Sequence, residues 1–203
     1  IVDNINNNKS RFNDLTRILK LIEGQSALIS EPTSTQRCLK LSFDDGIARI
    51  YGSLGHRYEQ ITLGFCGNNQ NQCIRIPRNT SLLLEGMTDC FMRISYAADC
   101  EADQDLMFKW LLDLHIIRHP VGADTRLKSL LSLLVRHFGL LKEDSYFIPF
   151  RMGHSLIAEL IGTTRSTVTR QLSILRKAGL LISSDLDNNL IISRSFIDNI
   201  QIS

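Results

Sequence analysis

The sequence predicts an α+β protein: an antiparallel sandwich or roll in the first half, then helices, and finally two helices joined by a glycine turn and followed by a two-stranded wing. Three observations predict this. Between Ser26 and Tyr96 short apolar runs recur with turn signals between them, the pattern of many short strands. After Tyr96 the apolar residues shift to helical spacing, and from Arg151 to Arg194 helix, turn, capped helix and wing follow in order.

Composition bounds the reading before any element is placed. With 203 residues, 43% hydrophobic and 22% charged, the chain excludes disorder and can bury a core without disulfide or metal. A net charge of +2 excludes a uniformly basic coat protein, although a local basic face can hide inside a nearly neutral total. The five cysteines (Cys38, Cys66, Cys73, Cys90, Cys100) form no short paired spacing and follow no secretory segment, which points to a reducing interior. No run approaches the roughly 18 to 20 apolar residues that span a bilayer, so a soluble protein with no membrane partner is expected. The first residue is Ile rather than Met, as in a fragment or an unusual start, and frequent Ile and Asn suit an AT-rich genome.

Taken in order, residues 1–23 read as a polar lead-in followed by a short helix, LTRILKLIE, with no chemistry. The runs ALIS, CLKLSF, IARIY, QITLGF, CIRIP, SLLLE and CFMRISY read as strands. Asp44, Asp45 and Gly46 between CLKLSF and IARIY predict a tight hairpin, because Asp-Gly supplies the positive φ angles such a turn needs. An acidic opening (Asp99, Glu101, Asp103, Asp105) then complements the N-terminal dipole of a helix, DLMFKWLLDLHIIRH. Met107, Trp110, Leu114 and Ile117 form a heptad-like stripe on it, which suits either packing on its own domain or a seam between two subunits. Pro120 and Gly122 end the helix and make HPVGAD the hinge, dividing the chain into residues 1–120 and 121–203. Leu127, Leu130, Leu131, Leu134 and Phe138 predict a second amphipathic helix over 124–138, and YFIPF predicts an edge strand because Pro149 cannot donate to a ladder.

The informative stretch follows. HSLIAELI reads as a helix, Gly162, Thr163 and Thr164 as a turn, and Arg165 to Lys177 as a second helix capped by Thr164 and stopped at Gly179. LLIS and LIIS, joined by DLDNN, read as the wing. Val168, Leu172 and Leu175 face a core, while Arg165, Ser166, Thr169, Arg170, Ser173, Arg176 and Lys177 share the opposite arc, which carries no acid. From Phe150 to Leu180 five Lys or Arg stand against one acid, Glu159, so this segment is +4 and the remainder of the chain −2. A basic helix on a neutral protein suits phosphate binding. It fits the major groove, where Arg165 and Arg170 can pair bidentately with guanine, while His154 and Ser155 lie over a backbone phosphate. The alternative for such an arc is a solvated surface, the usual fate of a charged helix face.

LIAELIGTTRSTVTRQLSILRKAGLL resembles the helix-turn-helix of the CRP/FNR transcription regulators, and within them the NtcA-type nitrogen regulators of cyanobacteria and red-algal plastids, with TTRSTVTR the specific match. The resemblance implies an N-terminal antiparallel β-roll with a long dimerisation helix and a C-terminal winged helix-turn-helix domain. It places base reading on Arg165, Ser166 and Arg170, with His154, Ser155, Thr164, Thr167, Thr169 and Ser173 completing the DNA-binding face. It favours the subunit-seam role for Met107, Trp110, Leu114 and Ile117. It also implies double-stranded DNA and a homodimer as partners, RNA polymerase beside them, and a plastid stroma, or alternatively a bacterial cytoplasm. DDGIARIYGSLGHRYEQITLGF is similar to a hairpin of the family's β-roll. Ser166 stands where the family has Glu or Val, which leaves the operator open.

The family's phosphate-binding cassette is absent, with GNNQNQCIRIPRN in its region, so cyclic-nucleotide binding is not expected and no cofactor is assigned. Arg75 and Arg78 read as solvated edge-strand arginines, with a grip on an acidic metabolite such as 2-oxoglutarate the less favoured alternative; a small-molecule effector is left unassigned. No thiolate cluster suits an iron–sulfur centre, and Cys66 and Cys73 read as buried structural thiols. His115 and His119 have zinc-ligand spacing without a glutamate base and read as a satisfied or exposed pair. Nothing points to an enzyme. Two competing classes remain: an effector-independent winged-helix accessory protein, and a metabolite-binding roll whose winged domain mediates protein contacts.

Overall fold

The computed structural model describes residues 16–29, 38–53, 60–67, 71–76, 81–97, 99, 105–182 and 189–201. The N-terminal half holds eight strands: β1 (Arg17–Leu21), β2 (Ser26–Ile29), β3 (Cys38–Asp45), β4 (Ile47–Ser53), β5 (Gln60–Gly67), β6 (Asn71–Arg75), β7 (Ser81–Gly86) and β8 (Cys90–Ala97). They form two antiparallel sheets, ordered β1-β8-β3-β6 and β2-β7-β4-β5. Alternation sends Leu39, Leu41, Phe43, Ile74 and Met92 of the first sheet and Ile50, Leu82 and Leu84 of the second into one shared core. This is the expected antiparallel roll. Cys38, Cys66, Cys73 and Cys90 are buried within it.

Two sequence expectations fail here for the same reason. LTRILKLIE does not form a helix: its residues 17–21 are β1, paired with β8 from Arg17↔Ile94 to Leu21↔Cys90. Its apolar spacing fits both periods, and a partner about seventy residues away decides between them. Nor do CLKLSF and IARIY pair as a hairpin, because β3 belongs to one sheet and β4 to the other. The Asp-Gly turn is a corner between sheets. Gly46 takes φ +87°, as the sequence signals, and a Cβ on it would sit 2.2 Å from the Asp89 carbonyl oxygen. That second constraint comes from the parallel corner between β7 and β8, stacked against the first. The hairpin that does form joins β4 and β5, from Ile47↔Gly67 to Ser53↔Gln60.

Two helices follow, α1 (Leu106–Arg118) and α2 (Ala123–Phe138). Asp105 caps α1, its carboxylate accepting from the Met107 and Phe108 amides. Met107, Trp110, Leu114 and Ile117 are the buried residues of α1, between 1% and 8% exposed. Their stripe is the chain's own core, so the subunit-seam assignment of these four side chains is corrected. The remaining face of α1 exposes Phe108, Leu111, Leu112 and Ile116. Trp110 lies across β5 where Gly64 leaves room: a Cβ there would meet the indole Cγ at 2.5 Å. Phe65 of β5, Trp110, Phe138 of α2 and Phe150 form a ring cluster with centroid separations of 5.4 to 6.3 Å. This cluster spans the expected boundary at residue 120, so the core is continuous across it.

The C-terminal half adds β9 (Leu140–Lys142), β10 (Ser145–Arg151), α3 (His154–Ile161), α4 (Arg165–Lys177), β11 (Leu181–Ile182), β12 (Asn189–Ser193) and α5 (Arg194–Gln201). Its sheet is ordered β11-β12-β10-β9. YFIPF is therefore an inner strand, not the expected edge. Pro149 is accommodated because β9 pairs only with residues 145–147 and the ladder to β12 slips between Phe147 and Arg151. The wing forms as expected, with Leu181↔Ile192 and Ile182↔Ile191; most of its DLDNN turn, like Arg78, Glu101 and Asp103, lies outside the described residues.

Candidate nucleic-acid interface

The two-helix unit is built by local rules. Gly162 ends α3 in the left-handed region at φ 63°, and the Thr163 amide reaches back to the Ala158 carbonyl at 2.9 Å. Thr164 turns the chain into α4, its hydroxyl accepting from the Thr167 amide at 3.2 Å. Gly179, at φ +68°, stops α4 as the sequence requires, with the Leu180 amide bonded to the Leu175 carbonyl. Ala158 is buried between the helices, and Val168, Leu172 and Leu175 fix the inward face of α4.

The outward face carries the expected residues. Arg165, Ser166, Thr169, Arg170, Arg176 and Lys177 are exposed, while Thr167 and Ser173 are half-buried. Among the described residues neither Arg165 nor Arg170 has a carboxylate in salt-bridge range. Thr164, exposed at the start of the face, also shares hydrogen bonds with the Ser166 and Thr167 hydroxyls at 3.0 and 2.9 Å. Ser155 is exposed, and His154 lies beside it, half-buried, at the N-terminus of α3.

His154 is tied to α4. Its Nδ1 lies 2.8 Å from the Thr169 hydroxyl, which itself donates to the Arg165 carbonyl at 3.0 Å. Since the hydroxyl has one proton, already committed, Nδ1 is the donor and Nε2 is left for a partner outside the protein. Partial burial lowers the His154 pKa first, and the Arg176 and Arg165 guanidiniums lower it further. The ring is thus neutral at neutral pH in the free protein, on a surface dominated by cations.

Sequence reasoning missed how α3 is held. Arg118, at the end of α1, donates to the Leu160 and Glu159 carbonyls at 2.9 and 2.8 Å. Arg126 of α2 donates to the Ile161 and Gly162 carbonyls at 3.2 Å and to the Pro120 carbonyl. These arginines neutralise the negative end of α3 and satisfy carbonyls that a helix terminus leaves open. Glu159, legible only as the single acid of a basic segment, points the other way, into β4 and β5. Elsewhere, Arg75 stands on edge strand β6, exposed and paired with Asp99 at 2.8 Å, and His115 and His119 are both exposed. No helix is long and apolar enough to cross a membrane among the described residues.

Comparison with known proteins agrees with this geometry. Residues 125–194 match the Crp-like helix-turn-helix domain. The chain is 30% identical over 112 residues to the global nitrogen regulator of Synechococcus elongatus, a match covering 55% of this chain and 43% of that protein. The chain thus spans less than half the length of that relative. Among solved structures, FixK2 from Bradyrhizobium japonicum superposes with a TM-score of 0.66 at 16% identity, over 91% of this chain and 96% of that one. A CRP/FNR-family transcriptional regulator from Thermus thermophilus does so with a TM-score of 0.59 at 16% identity, over 92% and 99%. The chain therefore joins a Crp-like helix-turn-helix domain, at residues 125–194, to a β-roll in the arrangement of the CRP/FNR fold.

Proposed function

We propose that this chain is a sequence-specific DNA-binding transcription regulator of the CRP/FNR type, with residues 1–120 as its effector-type half and 121–203 as its reader. The observation that carries the reading is the outward arc of α4: acid-free, largely exposed, and bearing three guanidiniums, Arg165, Arg170 and Arg176, that no carboxylate among the described residues neutralises. Seated in the major groove, that arc presents Arg165, Ser166 and Arg170 to base edges, where an arginine can pair with guanine O6 and N7. Thr169 and Ser173 lie along the same groove. His154, Ser155, Thr164 and Thr167 border it, where phosphates pass, and contacts there set register rather than sequence.

The protein acts as a homodimer in this reading, reading a palindrome with two α4 helices about 34 Å apart. The surface offered for that contact is the outer face of α1, with Phe108, Leu111, Leu112 and Ile116 replacing the four buried residues of the sequence expectation. This reading keeps a plastid stroma as the favoured location, with a bacterial cytoplasm as the alternative, and the cyanobacterial relative supports the alternative.

Selection of bound duplexes from a random pool with the purified chain tests the reading, followed by salt titration on the selected sequence. Affinity should fall steeply with salt, and Arg170→Ala should lose about 1 to 3 kcal/mol on the selected duplex while relaxing preference at one base pair. Equal loss on selected and random DNA sinks direct readout by Arg170; a flat salt response sinks DNA binding altogether.

A further inference from the structure

Between the roll and α3 lies a buried polar cluster that the arc of α4 does not use. Arg49 of β4 is 9% exposed and Thr62 of β5 is 1% exposed. The Arg49 Nε donates to the Thr62 hydroxyl at 2.8 Å, its Nη1 pairs with Glu85 of β7 at 2.9 Å, and its Nη2 reaches Glu159 at 3.3 Å. The guanidinium also lies 4.8 Å over the Tyr51 ring. Glu159 is chelated by one residue of β5: its Oε1 accepts the Thr62 amide at 2.6 Å, and its Oε2 accepts the Thr62 hydroxyl at 3.1 Å.

Two features make this more than an ordinary surface pair. Among the described residues β5 is an edge strand, so the Thr62 amide has no described strand neighbour on that side, and a carboxylate from the two-helix unit accepts from it instead. Every side chain in the cluster is held by another, which fixes the position of Glu159 along β5 instead of only attracting it. Because α3 packs on α4 through Ala158 and the Gly162 turn, fixing α3 fixes the outward arc.

We propose that Glu159 is a positioning residue: through Thr62 and Arg49 it registers α3, and with it α4, against the β-roll, so that the state of the roll sets how α4 meets DNA. This rests on the DNA-binding reading above, in which Glu159 touches no nucleic acid. Removing the carboxylate therefore leaves the arc's charges in place and changes only how firmly they are presented.

Two measurements on the full chain test it. Hydrogen exchange of the free protein comes first: Glu159→Ala should speed exchange at the Thr62 amide and along α4, while Glu159→Gln, which keeps an acceptor for that amide, should restore much of the protection. Binding to the selected and to a random duplex comes second. Glu159→Ala should weaken the selected duplex by about three- to thirtyfold, the size of coupling mutations remote from a ligand, with the salt slope unchanged. Thr62→Val should do the same from the other side of the contact, and the double variant should be no worse than either single one. Unchanged α4 exchange, or additive losses in the double variant, would overturn the proposal. If exchange responds as expected but the wild-type chain prefers no duplex, the DNA-binding reading fails and the mechanical coupling stands.

Discussion

His154 shows how one side chain joins two helices beneath the proposed DNA-binding face. With Nδ1 donating to Thr169, only Nε2 can meet a phosphate, and it does so as a donor only when the ring is protonated. Burial and the neighbouring Arg176 and Arg165 hold the free-state pKa below its ordinary value. A phosphate opposite Nε2 would raise it, so binding takes up a proton, and the linkage sign is that affinity grows as pH falls from neutral toward the free-state pKa. Duplex affinity measured across that range should rise, and His154→Gln should flatten the profile. A wild-type profile that is already flat would remove His154 from the phosphate contact. None of this pairing is visible in the sequence, where His154 and Thr169 are merely fifteen residues apart; only their membership of the same two-helix unit can be read.

Elements divide by how far away their partners lie. The α3 turn, the Thr164 cap and the Gly179 stop were legible because each rests on contacts within about five residues. β1, the corner at Gly46 and the inner position of β10 were not, because each is settled by a distant strand. α1 falls between these cases: its helix was legible, but it is apolar nearly all round, so periodicity could not say which side faces the chain's own core. The two sides now predict different outcomes. Trp110→Ala should cost roughly 3 to 5 kcal/mol of stability, read by denaturant unfolding, since it opens a cavity beside Phe65 and Phe138. Leu112→Lys, on the exposed side, should leave the fold intact and, in the homodimer proposed above, shift sedimentation from dimer to monomer. A stable Trp110→Ala, or a dimer indifferent to Leu112→Lys, contradicts this division.

At the scale of the molecule, the aromatic cluster and the Glu159 contact join halves that the sequence separates at Pro120. Unfolding should therefore occur in one transition by both intrinsic fluorescence of Trp110 and circular dichroism, rather than in two. Its pH dependence has a definite sign. His137, its ring tilted 32° to that of Trp110 with centroids 4.9 Å apart, has its pKa lowered first by partial desolvation and then by Arg136, against an opposing pull from Asp113. The unfolded chain takes up that proton at about pH 6.5, before the folded one does, so stability is full above that value and declines as pH drops below it. His137→Phe should flatten the decline, and a decline that persists unaltered would assign it to other groups.

Cys38, Cys66, Cys73 and Cys90 lie sealed in the β-roll, and burial lifts the Cys66 and Cys90 thiols above their usual range. No cysteine occurs after Cys100. With Cys100, which lies outside the described residues, replaced by serine, an alkylating reagent is a clock for one half alone: it reports each opening of the roll and is blind to fraying of the winged half. Labelling rates with and without duplex would then measure, on a chain with no added probe, whether seating α4 on DNA quietens strands tens of residues away.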